Sequence, residues 1–200
     1  MNDLPPPDCT WREWHIPLAT RSPTLRQALD SAAHMAAKPS DVPLIVRLVE
    51  NPCFDLPWID LFSGAVNLES HDCIHALLGR GLLPKDEAFV IGFTMGSTNR
   101  TTTGEQRLYG LVAKYLYPGP YRFSDEDIQV FKDAAHLGYV SDCQRLDKVD
   151  YSTLMELSLE EARKAVQLEC DLLEAYYRIE QKRYPTSVES QRLLPAASTS

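Results

Sequence analysis

The chain has 200 residues, 44% of them hydrophobic and 24% charged, with a formal net charge of -8. Those proportions suit one globular domain with a real core, and the acidic balance argues against a nucleic-acid surface, which needs clustered lysine and arginine to displace counterions. Cys9, Cys53, Cys73, Cys143 and Cys170 are odd in number and include no C-x-x-C pair, so they read as free thiols of a reducing compartment.

Residues 1–22 are proline-rich and polar, with no basic-then-apolar leader pattern, and are expected as an irregular arm anchored by Trp11 and Trp14. Ser22-Pro23-Thr24 starts a helix through Leu25, Leu29, Ala32, Ala33 and Ala36. Ser40-Asp41 caps a second, through Leu44, Ile45, Leu48 and Val49, which Asn51-Pro52 ends. A short helical turn is expected from Pro57 to Phe62. Asn67 is the expected N-cap of a helix with Leu68, Ile74, Leu77 and Leu78 on its apolar stripe, closed by Gly79 and Gly81. Pro84 fits the first turn of the next helix, which is apolar nearly all round from Glu87 to Met95 and therefore central.

The stretch from Gly96 to Gly104 reads as a loop, with Arg100 inside it and Arg107 just beyond. Helical spacing resumes from Glu105 to Tyr117, and Ser124 with Asp127 forms a capping box opening a helix to Gly138. Asp150 caps a short turn, and Ser158 with Glu161 opens a long helix to about Tyr184, ended by Pro185. Tyr115, Tyr117, Tyr121 and Tyr139 read as packing residues with a polar tip. No stretch alternates with period two, and none approaches the ~20 apolar residues of a membrane span. The expected fold is all-α, a single-domain bundle of about seven or eight helices over 23–185, between the arm and a flexible tail at 186–200. Apolar residues on more than one face of the last helix point to a homodimer.

The chemistry concentrates at His71, Asp72, His75 and Glu87. Residues four apart share a helix face, so His71 and His75 aim at one spot, with Asp72 at its edge. A tight return after Gly79 brings Glu87 near them. Two imidazoles and two carboxylates at one point make a divalent-metal site by residue type, one that leaves coordination positions open. The same residue types also serve as buried histidines bonded to carboxylates, with the acids favouring helix N-termini. Cys73, inside the motif, reads as a buried small hydrophobe.

The pattern H-D-x-x-H, then eleven residues and Glu87, with Ala76-Leu77-Leu78-Gly79 after the second histidine, resembles the coenzyme Q biosynthesis protein four family over about 71–95. That resemblance implies a mostly helical protein of ubiquinone biosynthesis, carrying a divalent metal, most commonly zinc, on His71, Asp72, His75 and Glu87. It implies a polyprenylated hydroxybenzoate-type precursor as ligand, with oxidative removal of the ring carboxyl as the reaction; on residue chemistry, Asp72 or Glu87 is a metal ligand or the general base toward bound water. It further implies association with a membrane surface and with other quinone-biosynthesis enzymes. Lacking a presequence pattern, the chain is expected to be a bacterial-type member, cytoplasmic and peripheral to the inner membrane. The alternative within this reading is a non-catalytic lipid-binding organiser. An outsider is a metal phosphohydrolase built on a His-Asp doublet, for which His34 and Asp125 supply no recognisable spacing.

Overall fold

In the computed structural model, which describes residues 4–33, 68–98 and 123–195, helices form where capping and apolar patterns place them. They are α1 (Leu25–Ala33), α2 (Leu68–Leu78), α3 (Pro84–Ser97), α4 (Asp125–Val140), α5 (Leu159–Ala165), α6 (Cys170–Arg183) and α7 (Val188–Gln191). Two 3-10 turns, Leu146–Lys148 and Tyr151–Thr153, link α4 to α5. Among the described residues there is no strand, only an isolated antiparallel bridge between Thr24 and Ser158. The all-α fold is as the sequence leads one to expect. The elements expected at 40–49, 57–62 and 105–117, the cap Asn67, and His34, Cys53, Arg100, Arg107, Tyr115, Tyr117 and Tyr121 lie outside the described residues.

The capping boxes are formed as read. Ser124 Oγ accepts from the Asp127 N–H, and the Asp127 carboxylate accepts from the Ser124 N–H at 2.8 Å. Ser158 and Glu161 do the same for α5. The bridge at Thr24 lets two helix starts satisfy each other: the Leu25 and Arg26 N–H groups donate to Leu157 and Met155 carbonyls, while Leu159 and Glu160 donate to Pro23 and Arg21.

Helix α3 is the centre of the protein. Every residue of it except Pro84 and Ile91 is buried, and it packs along α4 more extensively than any other described pair of helices meets. The two backbones approach closely because Gly92 and Gly96 face the carbonyls of Phe131 and Ala135, while Gly138 faces that of Phe93; a Cβ at any of the three would collide. The apolar core joins Phe89, Phe93, Val130 and Ala134 from this pair to Ile74, Leu77, Tyr177 and Trp14. Trp14 is fully buried and its Nε1 donates to Ser31 Oγ at 3.0 Å, which ties the N-terminal segment to α1.

A buried ion pair crosses the chain from the α2–α3 loop to α6. Arg80 grips Glu180 bidentately, at 3.0 and 2.6 Å, with neither side chain exposed. Its guanidinium lies 3.8 Å from the centre of the Phe89 ring and 4.4 Å from that of Tyr177. Ser190 Oγ of α7 donates to Glu180 Oε1 at 3.0 Å. Breaking one partner of such a pair costs roughly 3–5 kcal/mol, because the other charge stays buried alone.

Three expectations need correction. The helix read from Ser158 to Tyr184 is broken: α5 ends at Ala165, and Gln167 adopts a left-handed φ of 57° before α6 begins at Cys170. The Leu168 N–H returns to the Arg163 carbonyl at 2.9 Å, closing α5 as a Schellman turn. Capping residues announce the start of α5, but this stop carries no glycine. The segment from 186, expected as a flexible tail, instead packs as far as Leu194: Ser187 caps α7, and Leu193 is buried. Gln181 and Gln191 hold it to α6 by exchanging amide bonds with each other's backbone carbonyls. Tyr139, expected to pack, is 62% exposed, since it sits on the outer face of α4's last turn.

The left-handed backbone at Gln167 generates a stability prediction. A side chain there costs roughly 1–2 kcal/mol, and glycine gives back part of that gain through the freer unfolded chain. Because Gln167 is exposed, Gln167→Gly is expected to stabilise the protein by about 0.5–1 kcal/mol in denaturant titration.

Candidate metal centre

His71 and His75 lie one turn apart on α2, on a face that turns inward beside Ile74 and Leu78. The helix ends at Leu78, where Gly79 takes a left-handed φ of 69° and the Arg80 N–H returns to the His75 carbonyl at 3.0 Å. No other residue fits at Gly79, since a Cβ would come within 2.8 Å of the Leu18 backbone nitrogen. Pro84 then begins α3, and the Asp86 carboxylate accepts the Leu83 N–H at 3.3 Å. This five-residue return, 79–83, sets the first turn of α3 against the inner face of α2.

The geometry brings three of the four sequence-read residues together. His71 Nε2 lies 3.0 Å from Glu87 Oε2, His75 Nε2 lies 2.9 Å from His71 Nε2, and His75 Nε2 lies 3.4 Å from Glu87 Oε1. All three residues are buried. Two of these separations, 3.0 and 2.9 Å, are slightly tighter than the roughly 3.3 Å edge of a tetrahedron with bonds of about 2.0–2.1 Å, and the third, 3.4 Å, matches it. A buried His-His-Glu group able to hold a metal ion is therefore present.

Two details bear on what the group can hold. His75 Nδ1 lies 2.7 Å from the Gly81 carbonyl oxygen, which can only accept, so Nδ1 carries the proton and Nε2 turns its lone pair inward. Glu87 Oε1 is buried and makes no hydrogen bond, although a buried carboxylate oxygen is costly without a partner. Burial alone would raise the Glu87 carboxyl, but the His75 and His71 imidazoles hold it well below the usual carboxylate range. Burial likewise opposes charge on His75, yet the Glu87 carboxylate beside it raises that imidazole above its ordinary value. The site is thus anionic at one corner and draws a positive charge to the shared point.

Asp72 is not among the three converging donors. It is half-buried one step round α2, and burial raises its carboxyl above the ordinary range, partly offset by the His75 and His71 rings. It stands near enough to both imidazoles to feel their charge without joining the group. Cys73 faces the core instead, fully buried, its thiol pushed up to about 12 by burial. Asp125 heads α4 on the surface and takes no part.

The support around α2 comes from residues the sequence reading missed. Arg163 of α5 donates to four carbonyls: Ala76 at 3.1 Å and Leu77 at 2.9 Å on α2, and Leu18 at 2.8 Å and Thr20 at 2.6 Å on the N-terminal segment. The Tyr177 hydroxyl donates to the Leu78 carbonyl at 2.5 Å, and His15 Nε2 to that of Gly79 at 3.0 Å. Each pairing joins residues at least 64 positions apart, so spacing in the sequence carries no sign of it.

No family model, curated protein or solved structure matches the chain.

His15 supplies a pH prediction for this support. Burial lowers its imidazole from 6.5 to about 4. It is neutral in both states above the unfolded value; as pH falls from 6.5 toward 4 the unfolded chain takes the proton first, and folding loses stability. The loss is on the order of 2–3 kcal/mol. His15→Gln, which keeps a donor for Gly79, is expected to flatten that part of the acid limb in pH-dependent denaturant unfolding. An unchanged slope would show that His15 does not titrate in this way.

Proposed function

We propose that this protein is a divalent-metal protein of ubiquinone biosynthesis that binds a polyprenylated hydroxybenzoate-type precursor and removes its ring carboxyl oxidatively, the carboxyl leaving as carbon dioxide and an external two-electron oxidant such as dioxygen taking up the electrons. The observation that carries the metal part is the meeting of His71 Nε2, His75 Nε2 and Glu87 in a buried cluster, with one Glu87 oxygen making no hydrogen bond. His71 Nε2 lies 2.9 Å from His75 Nε2 and 3.0 Å from Glu87 Oε2, and its one proton can serve only one of them, whereas a cation at the shared point would satisfy all three atoms. The quinone part rests on the resemblance of the 71–95 stretch, and zinc is the metal it suggests.

In this reading His71, His75 and Glu87 are the protein donors, and a bound cation supplies Lewis-acid polarisation of a phenolic or carboxyl oxygen. His75 keeps its proton on Nδ1 against Gly81, which holds the ring in the ligating tautomer. The Asp72 carboxyl, raised by burial, takes up or releases a proton at the rim of the site. Arg80 and Glu180 fill the space beside the hairpin turn with a buried, bidentate ion pair. No helix of the described residues is long and apolar enough to cross a membrane, so contact with a lipid precursor at a bilayer would be peripheral.

The second reading is a lipid-binding organiser in which the metal is structural. It is favoured by the position of the donors, all buried within the hairpin rather than open to solvent. A phosphohydrolase is disfavoured, because its chemistry needs further histidine and aspartate ligands, and among the described residues none joins the cluster.

Purified protein is expected to hold about one equivalent of divalent metal by elemental analysis, and His75→Ala to lose it. Wild type that stays metal-free after zinc is added would end this reading. Asp72→Asn separates the two functions: retained metal with abolished quinone production in a complementation assay supports catalysis, whereas unchanged production supports the organiser.

A further inference from the structure

The C-terminal segment reaches back to the metal centre through one side chain. Arg192 follows α7, with its side chain 16% exposed. Its Nη1 donates to the Arg12 carbonyl at 3.0 Å, and its Nη2 donates to Asp86 Oδ2. The guanidinium also lies against Gly81: a Cβ built there would collide with Arg192 Nη2 on one side and come within 2.6 Å of the Trp14 carbonyl oxygen on the other. The Gly81 peptide is therefore clamped between Arg192 and the N-terminal segment.

That peptide has a second role, since its carbonyl oxygen accepts the His75 Nδ1–H at 2.7 Å. Asp86, the other partner of Arg192, precedes Glu87 in the first turn of α3 and is itself fully buried. One guanidinium thus touches both supports of the donor set: the loop that fixes the tautomer of His75 and the helical turn that carries Glu87.

We propose that Arg192 is a positioning residue of the metal centre, holding the Gly81 peptide and Asp86 so that His75 and Glu87 keep their donor geometry. This rests on the metal-centre reading above. Arginine suits the task because its flat, five-donor fork can bond Asp86 and the Arg12 carbonyl while its edge lies along Gly81. Lysine can restore the charge opposite Asp86, but its compact ammonium cannot make the other contacts together. Removing an outer partner that orients a ligand typically weakens metal binding about 10–100-fold.

The test compares full-length wild type, Arg192→Met, Arg192→Lys and Asp86→Asn by zinc affinity in chelator competition and by the visible d–d spectrum of the cobalt(II)-loaded proteins. Arg192→Met is expected to weaken zinc about 10–100-fold and to alter the cobalt bands. Arg192→Lys is expected to recover part of both, and Asp86→Asn to shift both in the direction of Arg192→Met. A merely structural Arg192 would lower the unfolding midpoint of chelator-treated protein while leaving zinc affinity and cobalt bands as in wild type, and that result overturns the proposal. If Arg192→Met fails to fold, Asp86→Asn, which preserves side-chain shape, decides the question by the same two readouts. Wild type that takes up neither zinc nor cobalt overturns the centre itself, an outcome distinct from a centre that forms and ignores Arg192.

Discussion

Helix α2 stops in the interior of the protein, where its last carbonyls have no helical partner and no water to turn to. Each such group left bare costs about 1–3 kcal/mol. The structure meets that demand with donors from three distant places: Arg163 on α5, Tyr177 on α6 and His15 on the N-terminal segment. Because each donor belongs to a different element, the end of α2 becomes the point where those elements are fixed relative to one another. The position of the hairpin turn follows from it, and so does the meeting of Glu87 with the histidines. Arg163 also bonds the Leu18 and Thr20 carbonyls, so the same guanidinium that ends α2 fastens the N-terminal segment across it.

Two consecutive acids divide the charge of the hairpin. Asp86 and Glu87 are about 100° apart around α3, so they face different partners from one turn. Glu87 meets the imidazoles, while Asp86 meets Arg192 and lies 3.8 Å from Arg80. Arg80 in turn is neutralised by Glu180 and stacked on Phe89 and Tyr177. The arginine cluster and the imidazole cluster stand on either side of the 79–83 return. The arginine cluster sets two guanidiniums against the Asp86 and Glu180 carboxylates and so is balanced in charge, which is what permits those groups in a dry interior. Asp86 Oδ1 and the Arg80 and Arg192 Nε atoms remain without hydrogen bonds, so that balance comes from the charges and not from every atom being paired.

The break between α5 and α6 shows where local reading fails. Glu160, Glu161, Ala162, Arg163 and Ala165 carry an unbroken helical pattern on toward Leu168 and Leu172, and no glycine or proline interrupts it. The chain nevertheless turns at Gln167. There, Gln144 donates from its backbone to the Val166 carbonyl at 2.9 Å and from its side chain to that of Ala165 at 3.1 Å, while the Asp142 N–H donates to Glu169 at 2.8 Å. These contacts come from the segment after α4, and the two from Gln144 satisfy carbonyls that a continued helix would have used. The packed C-terminus is a similar case: Ser190, Gln191 and Arg192 look like tail residues until Glu180, Gln181 and Asp86 supply their partners.

The sequence by itself determined what depends on neighbours within a few positions. It set the starts of α3, α4 and α5 through Pro84, Ser124 and Ser158, the stop at Gly79, and the placing of His71 and His75 on one helix face. These follow from backbone angles and side-chain reach over one turn, which a chain carries wherever it goes. Only the tertiary structure decided that Glu87, and not Asp72, completes the buried group, that Arg80 meets Glu180, and that Arg192 returns to Gly81. Those outcomes depend on the angle of the 79–83 return and on contacts between residues a hundred or so positions apart. Such contacts form because buried charges and helix-end carbonyls must find partners, and which partner they find is settled by the packing of the whole chain.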